Sequence, residues 1–438
     1  MTFQALPGFR DFFPDDLAFR SHILSAWRRV AARYGFEEYD GPPLEPLELY
    51  TAKSGDELVG QLFDFVDKGD RHVTLRPEMT PTFARMVSAR ANGLKKPIRW
   101  FSIPQLFRYE KQQRGRLREH FQLNCDLVGE PGALADAEMI ALAIDMCREL
   151  GLTHEDFKVR VSDRRLLVAL LEGLGIASTE HASVFQLLDK LGRREEANAR
   201  EAFAAGGGDS VALGILIDEL RLATTWDSLV ARSSTHAGLA SALQGEVPLR
   251  DTLAALDAMG LGDYVVLDLS IVRGLAYYTG TVFELFDAQR SLRAICGGGR
   301  YDTLLATLGG VDLPSVGFGM GDVVLGELLK ERELRPASPA TTQVFVGAAT
   351  PDDMPAVFAV VHELRSAGIA AEYALNGATL AKQLKQADAR GARLVLVIGP
   401  DDRARGEVQL RDFADKSQHA VPRDLVVQQC RDLLTSTG

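Results

Sequence analysis

The chain has 438 residues, enough for about three domains at roughly 150 residues each. It is 46% hydrophobic and 25% charged, the balance of a globular chain with a core, which excludes disorder as the dominant state. The net charge of −11 excludes a surface that attracts nucleic acid everywhere, though it leaves room for local basic patches. No apolar run approaches the ~18 residues of a spanning helix: Met139 to Ile144 and Leu394 to Ile398 are far shorter, so no membrane association is expected. Asp11, Asp15 and Asp16 stand where a secretory signal would be apolar, so the expected location is cytoplasmic. Cys125, Cys147, Cys296 and Cys430 form no C-x-x-C pair, which argues against a zinc site or a disulfide framework.

Taken in chain order, residues 15–34 predict an amphipathic helix, with Ile23, Leu24, Trp27, Val30 and Tyr34 at helical spacing and Gly35 at its end. Phe36 to Tyr39 is strand-like and is closed by Gly41-Pro42-Pro43. Strands are expected at 72–75 and 98–103, with a helix from Pro81 to Ala91 between them. Gln105 to Asp126 reads as strand, basic loop, strand. Residues 134–150 form a second helix, with Ala137, Ile140, Ala141, Ile144 and Cys147 on one face. Strands return at Tyr264 to Leu269, Thr281 to Asp287 and Arg293 to Cys296, and their short connections predict an antiparallel arrangement. Beyond a Pro- and charge-bearing stretch, strands at Val344 to Val346, Ile369 to Tyr373 and Leu394 to Ile398 alternate with helices at Pro355 to Ala367 and Leu380 to Ala389.

The expected fold is therefore α+β, an antiparallel sheet flanked by helices. Its core comes in two parts, 1–163 and 259–330, separated by a mostly helical insertion over 164–258. A linker at 331–342 leads to an α/β domain over 343–438.

Three segments carry candidate chemistry. No Gly-Lys dipeptide occurs anywhere, which excludes a Walker P-loop, and Gly297-Gly298-Gly299 lacks Rossmann spacing. Any nucleotide must then be held by arginines and metal-bound carboxylates on a sheet. Leu106 to Glu119 places Arg108, Lys111, Arg114, Arg116 and Arg118 against only Glu110 and Glu119. Such a strand-loop-strand can grip phosphates bidentately, or can simply be a solvated hairpin tip. Glu78 and Thr80, just ahead of a helix, can hold an ammonium group or act as a cap. Arg273 to Gly280 sets an arginine beside Tyr277 and Tyr278, which suits either a polar pocket floor or ordinary packing.

Together these segments resemble class II aminoacyl-tRNA synthetases, specifically the histidyl-tRNA synthetase family, over nearly the whole chain. The helix and proline-ended strand at 15–43 look like the dimer-forming motif 1, and Arg108 to Asp126 looks like motif 2. Arg273 to Tyr278 resembles the histidine signature RGLxYY, and Gly297 to Asp302 matches a further family signature. The tail looks like the family's anticodon-binding domain. The resemblance implies a class II synthetase-like sheet and a homodimer that joins L-histidine to tRNA(His) with ATP, with Mg2+ expected alongside. It assigns Arg108 and Arg273 to the α-phosphate as the catalytic pair. It assigns Glu78, Thr80, Gln122, Asp126, Tyr277 and Tyr278 to the histidine pocket, and Glu110 and Arg116 to ATP or the tRNA end.

One departure stands out. The family's motif 3 reads G-L-E-R, and its arginine packs on adenine and touches the γ-phosphate; here Val324 occupies that arginine's place. Arg300 is the substitute cation suggested by nearness in sequence. The loss also admits a second reading, a non-catalytic paralogue serving as regulatory subunit of ATP phosphoribosyltransferase. The intact Arg273, Tyr277 and Tyr278 and the α/β tail oppose that reading. Prolyl or threonyl synthetases lack support from the 272–280 segment.

Overall fold

The structure is a computed structural model that describes residues 3–51, 60–110, 115, 117–188, 196–205, 209–244, 247–272, 278–289, 291–337 and 341–435. The chain divides into two compact units, Met1–Pro336 and Ala337–Gly438.

Twelve strands are described in the first unit. They are β1 (Glu37–Glu38), β2 (Leu44–Pro46), β3 (Phe63–Val66), β4 (His72–Leu75), β5 (Ile98–Ser102), β6 (Gln105–Phe107), β7 (Glu119–Val128), β8 (Phe157–Asp163), β9 (Val265–Leu267), β10 (Thr281–Asp287), β11 (Cys296–Arg300) and β12 (Ser315–Gly321). The main sheet runs β1-β5-β7-β12-β11-β10-β8-β9, with β6 also on β7, while β2, β4 and β3 make a small second sheet. Every pair from β5 across to β8 is antiparallel.

Two edges depart from that pattern. β1 lies parallel to β5, and β9 lies parallel to β8 with Val159 opposite Val265. The expected antiparallel placement of the 264–269 strand is thus corrected. A parallel partner needs a long crossover, and the helices between β8 and β9 are that crossover. They begin with Arg164–Gly173, whose N-terminus is capped by Asp163 through the amides of Arg165 and Leu166, and end with Pro248–Ala258. The strand expected at Arg293 to Cys296 instead starts at Cys296 and runs through the glycines to Arg300. Glycine has low strand propensity, so the position of this ladder comes from its neighbours. A methyl on Gly298 would lie 2.5 Å from the carbonyl of Gly317 and 2.7 Å from Phe283.

The Ala133–Arg148 helix is buried on more than the single face its spacing suggests, with Met139, Leu142, Ala143 and Met146 also inside. The sheet covers one side, and the Pro14–Arg33 and Pro248–Ala258 helices pack on the others. A helix with apolar residues on more than one face belongs in such a sandwich.

The second unit has a five-stranded sheet ordered β14 (Ala371–Tyr373), β13 (Val344–Ala348), β15 (Leu394–Ile398), β16 (Glu407–Asp412), β17 (Gln418–Pro422). The first three strands are parallel and the last two antiparallel. Helices Met354–Ser366, Leu380–Ala389 and Val426–Thr435 flank it, and the unit has apolar clusters of its own.

Candidate active site

Strand periodicity builds the site. Alternate residues of β7, namely His120, Gln122, Asn124 and Asp126, line one cavity of about 750 Å³ on the same face of the sheet. Beside them β12 contributes Gly317, Gly319 and Gly321, and β11 contributes Gly297. These glycines make the floor. A methyl on Gly319 would sit 2.9 Å from Gln122 Cδ, and one on Gly317 would overlap the Asp126 carboxylate. The side chains of β7 lie across β12, so only hydrogen fits beneath them.

Asp126 lies at the deep end and accepts a hydrogen bond from the Tyr301 hydroxyl. Burial pushes its pKa up to about 7, against the lowering effect of that hydrogen bond. Glu78 and Tyr278, both buried, line the same cavity, as does Thr80. This end therefore offers a carboxyl group and tyrosine hydroxyls, groups that can both accept and donate hydrogen bonds.

The opposite end is set by motif 2. Arg108 follows β6 and donates from Nε to the carbonyl of Pro77 at 2.9 Å, which anchors its guanidinium in the cavity wall. Glu110 is buried beside it and also lines the cavity. His120 is pushed down to about 3, first by burial and then by Arg108 and Arg10, so its ring is neutral at physiological pH. Two guanidiniums, Arg108 and Arg293, line the cavity among the described residues.

Three of the expected residues, Arg116, Arg273 and Tyr277, lie outside the described residues. Arg300 is corrected. Its guanidinium is 1% exposed, pairs with Asp136 at 2.7 Å and Asp302 at 3.1 Å, and donates to the carbonyls of Glu130 and Gly132. It is absent from the cavity wall; it ties the core helix to the sheet, because a buried guanidinium needs every donor matched. Thr281 bridges that same Asp136 to Asp163.

A second buried ion cluster supports motif 2 from behind. Arg10 reaches Glu119 at 2.7 Å and Asp322 at 3.0 Å, while Asp322 accepts from the Phe121 amide at 2.9 Å. The N-terminal segment, β7 and the Asp322–Glu331 helix are locked together at the residue just before Val323 and Val324, which themselves line the cavity.

Residues 8–321 match the family described as "Histidyl-tRNA synthetase". The chain belongs to the histidyl-tRNA synthetase family. Residues 343–433 match a domain described as "Anticodon binding domain". The chain is 46% identical over 437 residues to a histidine--tRNA ligase from Opitutus terrae, covering 99% of both. It is 37% identical to one from Leptospira biflexa, again over 99% of each. A histidyl-tRNA synthetase crystal structure from a Nostoc species superposes with a TM-score of 0.82 at 25% identity, over 99% of this chain and 100% of that one.

Of the expected residues that are described, Glu78, Thr80, Arg108, Glu110, Gln122, Asp126 and Tyr278 line a single cavity, and Arg300 does not. Sequence reading missed His120 and Asn124, although stepping by two from Gln122 and Asp126 finds both. It also missed Tyr301, which sits inside the quoted Gly297 to Asp302 signature. Glu284 and Arg293 carried no signal, since the first is one of several polar strand residues and the second precedes its strand.

Proposed function

We propose that this chain activates L-histidine with ATP to give histidyl-adenylate and then transfers the histidyl group to tRNA(His). The observation that carries the reading is the polarity of the cavity. Asp126, with its partner Tyr301, stands toward the far end of β7, and Arg108 follows β6, whose Phe107 pairs with Glu119 at the start of β7; both line the cavity.

The imidazole of the substrate would lie against Asp126 and its ammonium group near Glu78 and Thr80. That placement turns the substrate carboxylate toward Arg108. In the first step a carboxylate oxygen attacks the α-phosphorus of ATP and pyrophosphate leaves. Arg108 stabilises charge on the α-phosphate from a position already fixed by Pro77, so little reorganisation is needed. Arg273 takes the facing position by the resemblance of its motif. In the second step a terminal ribose hydroxyl of the tRNA attacks the carbonyl carbon and AMP leaves.

Mg2+ fits this site. Glu110 and Glu284 would hold it, since both line the cavity and offer carboxylate oxygens, the donors a hard cation shares with substrate phosphates. Bound there it would neutralise charge on the triphosphate.

Residues 343–433 would read the tRNA anticodon, in keeping with the domain they match. A homodimer is supported by exposed apolar side chains at Phe13 and Leu44, which flank the motif 1 segment, and at Phe65 and Val66, on the small sheet that also holds Leu44. The reading places the protein in the cytoplasm, and among the described residues no helix is long and apolar enough to cross a membrane. The regulatory-subunit reading rests on Val324 alone, and the anticodon-domain match weighs against it.

Charging of a tRNA(His) transcript with each of the twenty amino acids tests the proposal. Acylation by histidine alone is expected, and acylation only by another amino acid would overturn it.

A further inference from the structure

Among the described residues, the nucleotide end of the cavity has few cations for a ligand that carries several negative charges. Among the described residues Arg108 and Arg293 are the two lysine or arginine side chains in its wall, set against Glu78, Glu110, Asp126 and Glu284. Arg108 is anchored at the start of the motif 2 loop. Arg300, the nearby basic residue of the same glycine-rich strand, is committed to Asp136 in the core.

Arg293 precedes β11, is exposed and lines the same cavity. It shares a stretch of wall with the start of the Asp322–Glu331 helix. A methyl group placed on Gly115 would lie 3.3 Å from Val324 Cγ2 and 4.0 Å from Arg293 Cδ, so the arginine stem and the valine flank one point of the motif 2 loop. Val323 and Val324 leave that side of the wall apolar.

Resting on the synthetase reading, we propose that Arg293 is a nucleotide-binding residue of this chain. Its guanidinium grips the outer phosphates of ATP from the β11 side and supplies the positive charge that the apolar helix start at Val324 does not. The two positions work as one electrostatic unit, in which charge at either serves the same phosphates. A guanidinium suits the task because it stays charged and offers a planar fork to phosphate oxygens.

The test uses the whole protein and three variants, Arg293→Ala, Arg293→Lys and the double variant Arg293→Ala with Val324→Arg. KM for ATP and KM for histidine are measured in histidine-dependent pyrophosphate exchange, and the Kd of ATP with Mg2+ is measured by calorimetry. Arg293→Ala is expected to raise the ATP KM and Kd about tenfold or more, the scale of one charge-assisted contact, with histidine KM unchanged. The lysine variant and the transplanted arginine should each recover part of that loss.

An ATP KM and Kd unchanged in Arg293→Ala would overturn the inference. So would equal rises for ATP and histidine, or a loss that neither rescuing variant reduces. Failure of the unaltered protein to exchange with histidine would sink the synthetase reading instead, and calorimetry would still decide whether Arg293 holds ATP.

Discussion

Asp126 is the most buried of the carboxyl groups that face the cavity, and its titration near neutrality has two measurable consequences. An unfolded aspartate has a pKa of about 3.9. Between that value and about 7 the folded chain keeps a proton that the unfolded chain has released. The stabilisation this gives is full below the unfolded value and is lost as pH rises through about 7. Asp126→Asn removes the effect, so the variant's unfolding midpoint should gain on the unaltered protein between pH 5 and pH 8. A pH-independent difference would contradict the assignment. Function runs the other way. The ionised carboxylate accepts the imidazole N–H, so histidine KM should fall as pH rises through 7, and Asp126→Asn should raise it about tenfold or more and flatten the profile. At this scale the sequence was legible wherever a residue sat in a dense motif, as with Arg108, Glu110 and Gln122. It misled at Arg300, because nearness in sequence does not reveal which face of a strand a side chain takes. Arg293 carries no local pattern at all; only the folded sheet brings it to the cavity.

The glycines of β11 and β12 show what an element contributes that its own propensities hide. A run such as Ser315 to Gly321 has little intrinsic preference for a strand, yet it pairs with both neighbours along most of its length because larger side chains on β7 need its empty surface. Gly319→Ala is expected to displace Gln122, the end of a flexible side chain, and so to raise histidine KM with little loss of stability. Gly317→Ala meets both Asp126 and the Cys125 carbonyl at 2.7 Å, where backbone must move, so about 1–3 kcal/mol of stability should go as well. Urea unfolding and exchange kinetics on the two variants separate these outcomes, and equal stability losses would contradict the difference. The helical elements were legible from periodicity, and Leu380–Ala389 falls where its spacing puts it. The parallel pairing of β9 was not, because the crossover that permits it spans the entire helical segment and only the closed fold shows where the strand returns.

On the scale of the whole molecule, the two units have separate apolar cores, which argues that each folds by itself. Removing residues 337–438 should therefore leave pyrophosphate exchange largely intact while charging of tRNA(His) falls steeply; parallel loss of both would contradict that division of labour. The overall acidity of −11 does not conflict with tRNA as substrate, since affinity comes from local phosphate contacts and should weaken with salt. The most direct test of the central claim, that one cavity holds histidine at its Asp126 end and ATP at its Arg108 end, is pyrophosphate exchange into ATP without tRNA. Exchange that depends on histidine and is lost in Arg108→Ala is the expected result. Exchange supported equally by other amino acids, or untouched by removing Arg108, would contradict the account.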